Sequence, residues 1–164
     1  MSTTPEPGQG APRRAALVGT GLIGGSVGLG LRSLGWHVTG TDEDGLVLAR
    51  AVELGAVDAT GVDPAAELTV VATPVSAVAQ LARQALERGG VVTDVGSVKA
   101  PVVEAVANPR FVGDIPWPVR RHWGSTGRGD LFGGATWALT PDDHTDPGAL
   151  SLVHGVVRSS VRRW

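Results

Sequence analysis

The sequence predicts a doubly wound α/β fold, a parallel sheet with helices on both faces. Three observations carry that expectation. Short apolar runs of strand length alternate with helical patterns of about 10–13 residues, the signature of βαβ units. Glycine is abundant, 24 of 164 residues, about twice the usual ~7%, which suits tight turns and close backbone approaches. The first apolar run ends in a glycine cluster that leads directly into a helical pattern.

Taken in order, residues 1–12 are polar and rich in Pro and Gly, without the basic start and apolar run of a signal peptide, and are expected to form a disordered leader. Residues 13–158 are expected to form one domain. Arg14 to Val18 reads as a buried parallel strand. Leu22 to Leu34 follows with helical spacing and a small-residue face of Gly24, Gly25 and Gly28. His37 to Thr41 is a second strand, and Glu43 to Leu54 a helix stopped by Gly55. Leu68 to Ala72 is a strand, with Pro74 marking its loop, and Val75 to Leu86 a helix ended near Gly89. Val91 to Asp94 is β-rich, and Ala100 to Ala107 a short helix with Pro101 in its first turn, where proline is tolerated. Residues 114–128 show neither period and are expected to be an irregular loop. Thr136 to Leu139 then reads as a strand and Asp146 to Arg158 as a helix. Right-handed crossovers place helices on both faces, giving a Rossmann-type sheet.

The composition excludes several classes. The net charge is −2, so no polyanion partner such as nucleic acid is suggested. The chain has no cysteine, which removes disulfides and thiolate metal sites. No apolar stretch approaches the ~20 residues that span a bilayer. A cytoplasmic protein acting on a small molecule is the expectation, with no membrane partner.

Gly19-Thr20-Gly21-Leu22-Ile23-Gly24 is a GxGxxG between a strand and a helix. The first glycine permits the tight turn, the second lets backbone approach a pyrophosphate, and the third lets helix pack on strand. The phosphates would sit at the helix N-terminus. Asp42 ends the second strand 18 residues beyond Gly24; there an acid accepts from the adenosine ribose and repels a 2′-phosphate, favouring NAD over NADP. A structural glycine turn with a helix-capping aspartate is the alternative the motif leaves open. Two further loops lie at strand C-terminal ends, where open α/β sheets bind ligands: Ala72-Thr73-Pro74-Val75 and Asp94-Val95-Gly96-Ser97-Val98-Lys99. Taken singly, a proline turn and a serine cap explain them as well. His37, His122, His144 and His154 have no metal or catalytic spacing and are read as structural.

The combination is more specific. Leu17 to Ser26, Ala72 to Val75, Thr93 to Lys99 and Asp130-Leu131-Phe132-Gly133-Gly134-Ala135-Thr136-Trp137 together resemble the prephenate/arogenate dehydrogenases of tyrosine biosynthesis. The resemblance covers about residues 14–113 and 129–158. It implies an NAD-linked oxidation of the ring hydroxyl of prephenate with loss of CO₂, giving 4-hydroxyphenylpyruvate (from arogenate, tyrosine). It further implies that Thr73 and Pro74 line the nicotinamide end, that Ser97 bonds near the reacting centre, and that the whole enzyme is a homodimer. An arogenate dehydrogenase, another small Rossmann dehydrogenase and a non-enzymatic NAD-binding fragment are the alternatives.

Two departures stand out. The family carries Gly-Gly-His-Pro-Met-Ala-Gly where this chain has Gly113-Asp114-Ile115-Pro116-Trp117-Pro118-Val119. Ile115 thus replaces the histidine that the family uses for acid–base work. The codons GAC ATC CCA TGG CCG GTC would encode Asp114 to Val119, and read from their third base they give His-Pro-Met-Ala-Gly. Residues 114–128 are compatible with a compensated pair of frameshifts and 159–164 with an uncompensated one that leaves an aberrant tail; genuine divergence of a loop is the alternative. Three of the five tryptophans fall in these two segments. The chain is also expected to lack the family's C-terminal helical domain, which builds the substrate pocket and dimer interface, and so to be inactive as written.

Overall fold

The computed structural model describes residues 11–117 and 136–161. Within them the chain forms β1 (Arg14–Val18), α1 (Leu22–Ser33), β2 (His37–Thr41), α2 (Gly45–Glu53), β3 (Ala59–Thr60) and β4 (Leu68–Val71). It continues with α3 (Val75–Arg88), β5 (Val91–Asp94), α4 (Ala100–Val106), β6 (Phe111–Trp117), β7 (Thr136–Thr140) and α5 (Pro147–Val161).

The strands lie in one sheet in the order β3-β2-β1-β4-β5-β6-β7. Every pairing from β3 to β6 is parallel, and β7 joins β6 antiparallel. The chain runs outward from β1 through β2 to β3, then returns to start again at β4 on the other side. Alternating side chains therefore feed two cores. On one face Leu17, Val38 and Val70 pack with Val27 and Leu31 of α1, Ala51 of α2 and Val153 of α5. On the other, Val71 and Val92 pack with Val78 and Ala82 of α3 and Val102 of α4. The doubly wound expectation holds.

Small residues set how closely α1 lies on the sheet. A Cβ on Gly28 would come 2.3 Å from the Ala56 carbonyl oxygen and 2.8 Å from a Leu17 methyl, so a larger residue would push the helix outward.

The structure departs from the sequence expectation at the far edge. The sheet is not wholly parallel, since β7 is antiparallel. Strand β6 was not anticipated, and it runs four residues into the stretch expected to be irregular: Asp114 to Trp117 pair with Leu139 to Thr136. Past Gly113 the strand has left β5 and retains one neighbour, which is where proline such as Pro116 is tolerated in a sheet. Strand β3 was also missed; its two residues are both exposed and carry no apolar signal. At the other end, α5 continues through Ser159 to Val161, three residues into the expected tail. The remainder of the 114–128 and 159–164 segments, and His122, lie outside the described residues.

Candidate functional site

The C-terminal ends of β1, β2, β4 and β5 bring the predicted residues to one edge of the sheet. Gly19 leaves β1 with φ +91°, a conformation open to glycine, and its amide donates to the Thr41 carbonyl at 2.8 Å. A Cβ on Gly19 would meet the Ala72 carbonyl oxygen at 2.4 Å, and one on Gly24 would meet the Gly19 carbonyl oxygen at 2.0 Å. A Cβ on Gly21 would meet nothing within 4 Å. The first and third glycines thus serve internal packing, whereas the second faces open space. Helix α1 has Gly21 at its N-cap, with no side-chain cap and no acidic residue in its first turn. Its leading amides and positive dipole end are therefore left for an anion. Leu22 and Ile23 are exposed beside it. From Gly21 and Leu22 an apolar groove of about 560 Å³ extends between α1 and α2.

Asp42 is fixed against this turn. Its Oδ2 accepts from the Thr20 amide at 2.7 Å and the Thr20 hydroxyl at 3.1 Å, and Oδ1 accepts from the Asp44 amide at 2.9 Å. A carboxylate oxygen offers about two acceptor directions, so Oδ1 keeps one for a ligand. Asp44, passed over in the sequence, caps α2: its Oδ1 accepts from the Leu46 and Val47 amides at 2.8 and 3.4 Å. The helix accordingly starts at Gly45 and not at Glu43. The N-cap preference of aspartate was the available signal.

The Thr73–Pro74 loop lies directly alongside. The Ala72 amide donates to Val18, and the Thr73 methyl is 3.1 Å from where a Gly19 Cβ would stand. Thr73 Oγ1 is buried with no hydrogen-bond partner among the described residues, an unsatisfied hydroxyl at the ligand edge of the sheet. Pro74 is exposed and precedes α3.

Ser97 is exposed in a turn pinned from below. Asp94, wholly buried, pairs with buried Lys99 at 2.6 Å and accepts from the Gly96 amide at 3.0 Å. Burial pushes the Asp94 carboxyl up, against the opposing pull of Lys99. A Cβ on Gly96 would lie 3.6 Å from a Val75 methyl, which places this turn beside the start of α3 and hence beside Pro74.

Ile115 lies half-buried in β6, two residues past the last β5 pairing. The acid next to it does not take over a proton-transfer role. Asp114 is only 2% exposed, alternates to the opposite face of the strand from Ile115, and borders a small cavity with Leu31, Trp137 and Val153. Burial pushes its carboxyl up to about 8; Thr93 and Lys99 pull it down and Asp94 pushes it up further. The Thr93 hydroxyl lies 2.9 Å from Asp114 Oδ2 and 2.5 Å from the Val112 carbonyl oxygen, and shares its one proton between these two acceptors. Nothing in the aperiodic sequence around Asp114 signalled this buried contact.

Of the histidines, His37 lies in β2 with Nδ1 3.7 Å from Asp58, His144 precedes α5, and His154 is exposed on α5. Among the described residues no group of His, Asp or Glu could hold a metal ion, and no helix is long and apolar enough to cross a membrane.

Comparison with known proteins identifies the family. Residues 27–162 match the family described as prephenate dehydrogenase, nucleotide-binding domain. A probable prephenate dehydrogenase of Streptomyces niveus, NovF, is 35% identical over 147 residues, covering 85% of this chain and 41% of the relative. The crystal structure of Aquifex aeolicus prephenate dehydrogenase in complex with hydroxyphenyl propionate and NAD⁺ superposes with a TM-score of 0.78 at 27% identity, over 92% of this chain and 58% of that one. Synechocystis arogenate dehydrogenase gives 0.76 at 28% identity, over 90% and 57%. The chain thus spans less than half of the curated relative and under two thirds of either solved chain.

Proposed function

This chain belongs to the prephenate dehydrogenase family, and on that premise we propose that it is the part of such an enzyme that binds NAD for the oxidative decarboxylation of prephenate in tyrosine biosynthesis. The observation that carries the reading is the glycine turn: open space at Gly21, tight packing at Gly19 and Gly24, and an uncapped helix α1 behind them. That arrangement suits a pyrophosphate.

In this reading the Gly19–Gly24 turn and the first amides of α1 hold the pyrophosphate. Asp42 Oδ1 accepts from the adenosine ribose. Thr73 and Pro74 border the nicotinamide, and the unpaired Thr73 hydroxyl gains a partner there. Ser97 offers its hydroxyl to the reacting centre from a turn that Asp94 and Lys99 hold. NAD supplies the acceptor for the hydride that leaves the ring carbon, while the hydroxyl loses its proton and the ring carboxylate departs as CO₂. Ile115 can accept no proton, so the histidine's task has no bearer at that position. This favours a second reading, in which the chain binds NAD without catalysing the reaction. Arogenate is the alternative substrate, and a cytoplasmic homodimer is the setting proposed for the whole enzyme.

Titration calorimetry with NAD, followed by a spectrophotometric assay for NADH with prephenate or arogenate, tests both readings. NAD is expected to bind and neither substrate to yield NADH. Substrate-dependent NADH would overturn the second reading, and failure to bind NAD would overturn the dinucleotide site.

A further inference from the structure

A ribose held by the free acceptor direction of Asp42 Oδ1 would lie beside the segment that follows β2, because that same oxygen accepts from the Asp44 amide. A 2′-phosphate there would need donors or positive charge. The donors within reach are the first amides of α2, a natural anion site. Those of Leu46 and Val47 are already taken, since Asp44 Oδ1 accepts from both, and the Asp44 amide is itself bound to Asp42. Positive charge is lacking as well. Residues 33–49 contain no lysine or arginine, and the flanking Arg32 and Arg50 are paired with Asp58 and Glu53 at 2.7 and 3.0 Å.

We propose that Asp44 is a second determinant of NAD over NADP, acting by filling the α2 N-terminus with its own carboxylate as well as by charge. The inference rests on the dinucleotide reading of the site. Asp42 recognises the ribose; Asp44 closes the place where a 2′-phosphate would otherwise be received. Discrimination is then built partly from an element that repels the wrong ligand.

The test replaces Asp44 without losing the cap. Asp44→Asn and Asp44→Ser both retain an oxygen suited to the N-cap position and remove the charge. Affinities for NAD and NADP are measured by titration calorimetry on the full chain at low and high salt, with Glu43→Gln as a control of equal charge change at an exposed residue that is not the cap. Both Asp44 variants are expected to tighten NADP about 3–10-fold, the worth of one charge a few ångströms away at an effective dielectric of roughly 40–80. NAD affinity is expected to stay within about twofold, and the gain for NADP to shrink at ~0.5 M salt as the field is screened. An unchanged NADP-to-NAD ratio overturns the inference, as does an equal gain from Glu43→Gln or a parallel change for both nucleotides. If the parent chain binds NAD and only the ratio fails to respond, the inference alone falls. If the parent binds neither nucleotide, the dinucleotide reading falls and takes the inference with it.

Discussion

Gly21 and Gly24 belong to one motif, yet a methyl group added at each meets opposite surroundings. At Gly24 it would stand 2.0 Å from the Gly19 carbonyl oxygen, a contact that backbone must move to relieve; at Gly21 it would touch nothing. Gly21 also has φ −63°, which alanine adopts freely. Gly24→Ala is therefore expected to cost about 1–3 kcal/mol of stability. Gly21→Ala should leave stability unchanged or raise it slightly, yet weaken NAD at least ~10-fold by standing where backbone meets the pyrophosphate. Denaturant melts and calorimetry on the two variants separate these effects; equal NAD affinity in Gly21→Ala and the parent would contradict the assigned turn. At this scale the sequence was most informative where chemistry follows from spacing. That the glycine turn and Asp42 would meet was legible because strand, turn, helix and acid follow in a fixed order. Asp44 was missed because three consecutive acids, Asp42 to Asp44, do not announce which one ends the strand, which is exposed and which caps the helix.

Among the elements, β6 carries the strongest electrostatic consequence. Its Asp114 is buried against Thr93, and its carboxyl is raised to about 8, whereas the same group in an unfolded chain ionises near ~4. Between those values unfolding releases a proton that the folded protein retains. Stability from this residue is therefore greatest at acid pH, falls as pH rises from about 4 to 8, and falls no further above that. Asp114→Asn keeps an oxygen that accepts from Thr93 and removes the titration. The variant is expected to match the parent near pH 4 and to melt higher at pH 8, by ~2 kcal/mol or more, roughly 4–8 °C. A gap that stays constant from pH 4 to pH 8 would mean that Asp114 is ionised in the folded state. Strands with two buried neighbours, such as β1, β4 and β5, were legible as apolar runs because both faces are covered. The expected limits match for β1 and β5, and for β4 differ by one residue. Strand β6 was not legible, since beyond Gly113 it holds its place by pairing with β7, and pairing across a long separation leaves no local pattern.

For the whole molecule, the decisive feature is the reversal of strand order between β1 and β4, where α1 leaves for one face of the sheet and α3 for the other. A ligand seated at that point spans the ends of β2, β1 and β4 at once, so it binds only when both halves of the sheet are in place. Binding must then appear as global stabilisation. At a free NAD concentration of 100 times Kd the linkage is worth about 2.7 kcal/mol, or roughly 5–10 °C in Tm for a domain of this size. NADP at the same concentration should shift Tm less, because Asp42 and Asp44 oppose its extra phosphate. Gly21→Ala should melt like the parent without ligand and lose most of the NAD shift, which ties the stabilisation to the turn and not to nonspecific association. A full NAD shift in Gly21→Ala would place the nucleotide elsewhere on the fold. A parent shift equal for NAD and NADP would leave the acids at the end of β2 without a role in choosing the cofactor. The thermal shift depends on the ends of β1, β2 and β4 and not on Ile115, so it should persist in a chain that oxidises nothing, and cofactor binding and turnover can be judged separately in the same protein.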